Sequence, residues 1–392
     1  MRKLLLILIC TLSFTTIYAQ QIQGTVTDTD GKPIEFVSVG VKGTSTGTIS
    51  NEQGQFLLAV KALPVTLVLS HLSYIPQEII VNDDHALSII LKSQSIQLHE
   101  VTVGNPALAL MQLASEKAYK DVNVPHIAKA FSRQIMAEGD KPAFFAENFL
   151  DVQWQNWGIT KYNITNARYL QKPDAVSYTN VTLLSYIFSA FAKNSILTSP
   201  ISHKPDSLYK FTIKETFKNN DQEITVINCQ LKDPDQVKHL TFIGDIYINS
   251  DTYDVLKTDG TLLGFKLNLS GPYKSKLKEL KLISQFKLDN KGANVLDYSS
   301  FTIKYDMKLL GLGVKVLSYS TKIFILDYTP SIDPASLTEI DLKSKEKDED
   351  RIKKRAYDAD FWKNNAVIRR TQAEEDAIAT LENQKNKQGT AK

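Results

Sequence analysis

The side chains best able to bind a metal or move a proton are six histidines, at positions 71, 85, 99, 126, 203 and 239. None of them stands in H-E-x-x-H or at an i, i+4 spacing, which would turn two imidazoles toward one zinc ion. His99 and Glu100 adjoin in a strand pattern, where successive side chains point to opposite faces. Asp28-x-Asp30-Gly31 opens like a calcium loop. Such a loop needs an oxygen ligand at its fifth position and a glutamate at its twelfth, and Lys32 and Val39 stand there instead. A plain turn is expected. The chain has no G-x-S-x-G elbow, phosphate-binding loop or dinucleotide fingerprint; Gly311-Leu312-Gly313 reads as a hairpin turn. Cys229 sits in an alternating strand, the other cysteine, Cys10, lies in the apolar run of residues 1–19, and Cys229 reads as a small buried apolar residue. The expectation is a protein that is not an enzyme, with no catalytic residue, no cofactor and no metal.

Recognition chemistry remains. Trp154 and Trp157 either line a ligand groove or pack in the core or its rim. Tyr186, Phe188 and Phe191 lie in Val181–Leu197, a mostly apolar insert of helical length. Set against a sheet rich in Phe and Tyr, that insert is either a lid over an apolar pocket or a helix that completes the core. An apolar pocket would suit an acyl chain or a hydrophobic partner segment. Trp154, Trp157, Tyr186, Phe188 and Phe191 are therefore the candidate ligand or partner surface.

The elements that would carry these residues are mostly strands. From Gly24 to Leu58, apolar residues largely alternate (Val26; Phe36, Val37, Val39, Val41; Phe56, Leu58) between the turn signals Asp30-Gly31, Lys42-Gly43, Thr46-Gly47 and Gln53-Gly54. Gly43 and Gly47 are read here as turn positions. Val65–Ser70, Gln77–Val81 and Ala86–Leu91 follow. Short strands at this spacing predict a β-sandwich.

Within this stretch, Gly24, Val26 and Asp28, then Gly31 and Pro33, then Gly43, Thr44, Gly47 and Thr48, and finally Gly54, Phe56 and Leu58 match a family pattern. The stretch resembles the carboxypeptidase-regulatory-like domain, a transthyretin-like sandwich common in Gram-negative envelope proteins and at the front of TonB-dependent receptors. Ser73 stands where that family has glycine, and Ser50-Asn51 where it has Thr-Asp. The resemblance implies a fold and an envelope setting; it implies no peptidase activity.

The chain has 392 residues, room for more than one domain. Lys plus Arg number 46 against 43 Asp plus Glu, so a net charge of +3 gives no field that would favour nucleic acid. Residues 1–19, with Arg2-Lys3, an apolar run and Ala19, read as a secretory signal peptide. No later stretch is long and apolar enough to span a bilayer as a helix.

Residues 20–103 form the expected sandwich, Leu98–Val103 its exit strand, and residues 104–130 a linker helix opened by Asn105-Pro106. Residues 131–330 read as an antiparallel sheet or half-barrel with the helical insert 181–197. Its hairpin from Ile246 to Leu262 resembles those of lipoprotein-carrier-like half barrels. Residues 331–392 read as a charged, solvated linker and a helical tail, with Thr371 and Glu374 as a capping box and a disordered end beyond Glu382.

The expected fold class is thus mainly β. The expected function is a non-catalytic exported envelope protein that binds or adapts a lipid, glycan or protein partner, in the periplasm or on the periplasmic face of a Gram-negative outer membrane. The alternative is an accessory component or remnant of a TonB-dependent uptake system. The residues left after the sandwich are too few for a receptor's own plug and 22-stranded barrel.

Overall fold

The computed structural model describes residues 20–389 apart from 45, 95, 98–104, 121, 173–181, 184, 185, 187, 189–196, 220, 221, 238, 266–272, 290, 310–312, 329, 330, 356, 357, 359, 360 and 363–367. The signal peptide, the exit strand and most of the helical insert expected from sequence lie outside the described residues. Two compact units emerge. One runs to Gln94 and includes Trp362–Gln372; the other comprises Ser95–Phe361 and Ala373–Lys392.

The first unit holds β1 (Gln20–Thr27), β2 (Ser38–Val41), β3 (Gly47–Ile49), β4 (Gln55–Val60), β5 (Val65–His71), β6 (Tyr74–Val81) and β7 (Leu87–Ile90). They form two sheets, ordered β4-β1-β7 and β3-β2-β5-β6. The alternation seen in sequence fills the space between them with Ile22, Val26, Val39, Phe56, Leu58, Leu67 and Leu69, each no more than 4% exposed.

Ser50 and Asn51, the departures from the family pattern, act as local locks. The Ser50 hydroxyl accepts from Val37 N and donates to Ile34 O, both at 2.9 Å. Asn51 Oδ1 accepts from Gln53 N at 3.0 Å and Gln55 N at 2.9 Å, while its Nδ2 donates to Arg369 O at 3.3 Å. Asp28 Oδ1 accepts from Asp30 N and Lys32 N at 2.9 and 2.8 Å, so this carboxylate closes a turn.

One turn assignment needs correction. Gly43 has φ +76°, as a turn glycine should, but Gly47 opens strand β3 and pairs with Gly40. The more demanding position is Gly54, at φ +69°, where a Cβ would stand 2.2 Å from Val26 O.

The second unit is built on β8 (Ile96–Gln97), β9 (His126–Glu138), β10 (Lys141–Gln155), β11 (Gly158–Gln171), β12 (Leu197–Thr198), β13 (Tyr209–Asn219), β14 (Gln222–Leu231), β15 (Leu240–Asn249), β16 (Val255–Leu263), β17 (Tyr273–Leu288), β18 (Asn294–Leu309), β19 (Gly313–Asp327) and β20 (Thr338–Glu339). They make one 13-stranded sheet, ordered β20-β11-β10-β9-β19-β18-β17-β16-β15-β14-β13-β8, with β12 lying parallel beside β15. β13 to β19 form a meander. The hairpins of β9, β10 and β11 join its far side through β9 and β19, pairing Ala130 with Ile325.

Helix α1 (Pro106–Lys120) begins as its sequence dictates: Asn105 Oδ1 accepts from Leu108 N at 3.0 Å, and Pro106 needs no donor partner in the first turn. It is more than a linker. Ala107, Met111, Ala114 and Ala118 recur at helical spacing and are buried in the core of the large sheet. Leu183, Tyr186 and Phe188 join the same core, as does Cys229, whose thiol is pushed well above its ordinary pKa by burial and is therefore a poor nucleophile.

The residues after Pro330 correct a second expectation in part. Most of them are exposed, as their charge implies, yet the segment is fastened to the sheet: β20 pairs Thr338 and Glu339 with Tyr162 and Lys161 of β11. Ile352 of α2 (Asp348–Lys353) is buried, and Arg355 donates to Asn163 Oδ1 at 2.8 Å. The physical reason is that Leu337, Ile340, Leu342 and Ile352 interrupt the charges often enough to give the segment an apolar side. The end of the chain is also ordered further than expected, since α3 (Gln372–Gly389) runs to Gly389 through good helix formers such as Gln and Lys. Ile378 and Leu381 of α3 pack on Phe145 and Leu170, and Glu374 reaches Arg133.

Candidate functional site

Three turns and the end of α1 enclose a cavity of 210 Å³ in the second unit. Its first wall is the β10–β11 hairpin, where Gln155 pairs with Gly158 and the two residues between them are Asn156 and Trp157. Both have φ 54°, as a two-residue hairpin turn requires. Glycine normally takes the second of these positions. A tryptophan there carries backbone strain of about 1–3 kcal/mol, so its surroundings must hold it. They do: Trp157 Nε1 donates to Ala118 O at 3.0 Å, Asn156 N donates to Val122 O at 2.8 Å, and the Trp157 ring lies 4.8 Å from that of Phe286.

The second wall is the turn between β15 and β16. Asn249 Oδ1 accepts from Asp251 N and Thr252 N at 2.9 and 3.0 Å, which winds the turn tightly enough to put Tyr253 at φ 63°. Asp254, only 5% exposed, accepts from Thr252 Oγ1 at 2.7 Å and pairs with Lys117 Nζ of α1 at 2.9 Å. Two aromatic residues in left-handed backbone therefore face one cavity.

The third wall is the turn between β17 and β18. Asp289 Oδ1 accepts from Lys291 N and Ala293 N, at 2.8 and 2.9 Å, and Asp289 Oδ2 lies 3.5 Å from His126 Nδ1. Asn294 Nδ2 donates to Val255 O at 2.9 Å, which spans the second and third walls, while its Oδ1 is buried without a hydrogen-bond partner. Trp154, whose ring centroid is 5.9 Å from that of Trp157 and 5.6 Å from that of His126, completes the lining. Its Nε1 is likewise buried without a partner. The cavity thus offers aromatic surface beside charged side chains, of which Lys117 pairs with Asp254 while Lys120 has no ion pair among the described residues. Its lining has no serine, threonine or cysteine to act as nucleophile, and among the described residues no group of three or more His, Cys, Asp or Glu is placed to hold a metal.

Of the five residues singled out in sequence, Trp154 and Trp157 meet at this cavity. Tyr186 and Phe188 do not: they are 1% and 0% exposed, Tyr186 Oη lies 3.1 Å from Ser132 Oγ, and the Phe188 ring packs 5.9 Å from that of Phe301. They present no surface. Phe191 lies outside the described residues. A second cavity, 410 Å³ and more apolar, is lined by Leu208, Leu231 and Val237 with His239 and Thr241, and neither cavity is lined by Tyr186 or Phe188. Sequence reasoning missed Lys117, His126, Tyr253, Asp254 and Asn294. The one local signal was the turn chemistry of Asn249 to Asp254, which fixes a shape without saying what faces it.

The strained turn gives a paired test. Trp157→Ala should cost about 3–5 kcal/mol of unfolding free energy in urea, from the lost ring packing. Trp157→Gly loses the same ring and relieves the left-handed backbone, so it should be the milder variant by about 1 kcal/mol or more. The reverse order would mean that the turn is not strained.

Fold and site together define a mainly β protein of two units, a sandwich and a large antiparallel sheet with a small aromatic-walled cavity. Residues 22–103 match the CarboxypepD_reg-like domain, and residues 116–322, over half the chain, match the family of unknown function DUF5686. The chain belongs to that family. Among curated proteins it is similar to the TonB-dependent receptor SusC of Bacteroides thetaiotaomicron (42% identity over 107 residues) and to the TonB-dependent receptor P39 of Formosa agariphila (30% over 101 residues). Each match takes in 26% of this chain and 10% of the relative, so the chain spans about a tenth of the length of these relatives. Among solved structures it is similar to a LolA superfamily protein from Nitrosomonas europaea, at 12% identity and a TM-score of 0.21, over 59% of this chain and 97% of that one. No helix among the described residues is long and apolar enough to cross a membrane, which leaves strands aside.

Proposed function

We propose that this is a non-catalytic, exported envelope protein whose large sheet binds a small polar ligand in the Trp154–Trp157 cavity. The observation that carries the reading is the wall itself, in which Trp154, Trp157 and Tyr253 stand beside the charged side chains of Lys117, Lys120 and Asp254 around 210 Å³ of space. An acyl chain would set its methylenes against charged side chains, so among the lipid, glycan or protein partners expected from sequence this cavity supports a polar one. The envelope setting, and service beside an outer-membrane uptake system, rest on the similarity of the front module to TonB-dependent receptors.

The test is native mass spectrometry of the mature protein purified from envelope fractions without detergent. The expected result is a bound small molecule that is lost in Ala293→Phe, which fills the cavity from its third wall. A bound molecule that persists in Ala293→Phe would place the ligand elsewhere. A wild-type chain that carries none, and takes none up from a mixed metabolite extract, would overturn the reading.

A further inference from the structure

We propose that the outer face of β17, β18 and β19, at the ends that carry Lys274, Lys308 and Val314, docks on an anionic phospholipid surface; this goes beyond the cavity and does not depend on it. The strand register builds the face. Lys274 stands opposite Lys308, and Lys308 opposite Val314; in the next row Lys276 stands opposite Asp306, and Asp306 opposite Val316. Residues directly opposite share a face of the sheet, as do residues two apart along a strand, so Lys304 belongs there too. The other face is the packed one, where Tyr305, Met307 and Leu317 are at most 8% exposed. β16 last pairs with β17 at Lys281, and β9 reaches β19 no further than Leu317. Past those rows the three strands have only one another as strand partners among the described residues.

Charge sets the sign of the partner. Lys274, Lys276, Lys304 and Lys308 are exposed and have no ion pair among the described residues. The carboxylates of this stretch are Asp306, which Lys278 takes at 3.0 Å, and Glu279, which stands alone against the four lysines. Lys274 directly opposite Lys308 is a like-charge pair, an arrangement that destabilises a sheet. An anionic surface laid against the face relieves that repulsion.

The kind of side chain sets the class of partner. Protein interfaces favour Trp, Tyr and Arg and are poor in lysine. Here every cation is a lysine, a hydrated point charge on a flexible stem, which follows mobile headgroups better than it fixes one carboxylate in a two-point contact. A gathering of about 4–8 basic residues on one surface is the pattern of adhesion to acidic lipid. Val314 and Val316, 59% and 40% exposed, set apolar surface among the lysines, at the level where headgroups meet acyl chains. None of these residues lines either cavity described above, so the face offers a surface for docking and stands apart from the site of a small ligand. The proposed envelope setting puts phospholipid surfaces within reach.

The experiment is co-sedimentation of the full mature chain with vesicles of phosphatidylcholine alone and of phosphatidylcholine mixed with phosphatidylglycerol. The mixed vesicles should bind the chain at low salt and release it at high salt, and the neutral ones should not bind it. Lys274→Gln combined with Lys308→Gln should weaken that binding about thirtyfold, at about fivefold per lysine. This double variant should melt no lower than the wild type, since the like-charge pair is gone. Lys210→Gln combined with Lys218→Gln removes the same charge from exposed positions on β13 and should bind as the wild type does. No binding of the wild type to the mixed vesicles would overturn the proposal. So would a loss in the first double variant no greater than in the second, which would assign the attraction to net charge. Displacement from the vesicles by soluble glycerol phosphate at matched ionic strength would replace the surface with a single anion site. Tighter binding to polyglutamate than to the mixed vesicles would reassign the face to an acidic protein.

Discussion

Phe188→Asp should unfold the large sheet of the second unit while the sandwich stays folded. Phe188 has no exposed surface, and it packs in the core that joins α1 to the strands. Removing its ring alone would cost about 3–5 kcal/mol. The aspartate adds a charge with no partner in an apolar setting, or a carboxyl kept neutral at the expense of its ordinary pKa, and either outcome costs several kcal/mol more. The sum approaches the whole stability of an ordinary domain. The sandwich has its own core from Ile22 to Leu91, so its exchange-protected amides should survive. The checks are near-ultraviolet circular dichroism and hydrogen exchange: lost aromatic signal with protected amides in β1, β4 and β5. A variant that keeps native signal throughout would show that Phe188 has room to turn away from the core, and would reopen the reading of its segment as a lid.

Arg133→Met should release helix α3 from the sheet. Arg133 is 5% exposed and joins two buried carboxylates, Glu147 through Nε at 2.8 Å and Glu374 of α3 through Nη1 at 3.0 Å. Arg168 also pairs with Glu147, and Lys322 approaches Glu374 at 3.5 Å. Taking one partner from a buried ionic network leaves charge uncompensated and typically costs about 3–5 kcal/mol. Methionine keeps much of the stem's volume, so the loss reports on the guanidinium. Hydrogen exchange at Ile378 and Leu381 should rise most, since their contacts with Phe145 and Leu170 depend on the helix staying in place. An unchanged urea midpoint together with unchanged exchange in α3 would show that the apolar contacts alone hold the helix.

How far the sequence foretells this molecule differs between its parts. In the sandwich, alternation and turn residues act over a few positions, and β1 to β7 follow them. In the large sheet the hairpin of β15 and β16 is equally legible, but the parity of a strand is not. Tyr209 and Phe211 are buried at alternate positions, but after an irregularity between Ile213 and Glu215 the neighbours Thr216 and Phe217 are both buried, with Thr216 1% exposed and 3.2 Å from Thr225. No local pattern announces that shift. The candidate site follows the same division. Trp154 and Trp157 stand out as large aromatic residues three positions apart, whereas Asp254 and Asn294 are ordinary turn residues until tertiary pairing sets them opposite. In the charged segment after Pro330 the average composition argues for solvent and most residues are exposed, while a few apolar ones, invisible to the average, fasten it to the sheet.

The pairing of β9 with β19 has a consequence in time. The β9–β11 hairpins are synthesised early, and the strand that gives β9 its second neighbour ends at Asp327, late in the chain. Until then β9 presents an unpaired backbone edge, and the β13–β18 meander presents another at β18. Non-local closure of this kind slows folding and exposes edges that invite association with other chains. A chain that emerges progressively from its N-terminus must therefore spend its longest vulnerable interval with both halves of the large sheet formed and unjoined. During that interval a chaperone that caps open strands would have its greatest effect, and a truncation before Gly313 would make the interval permanent.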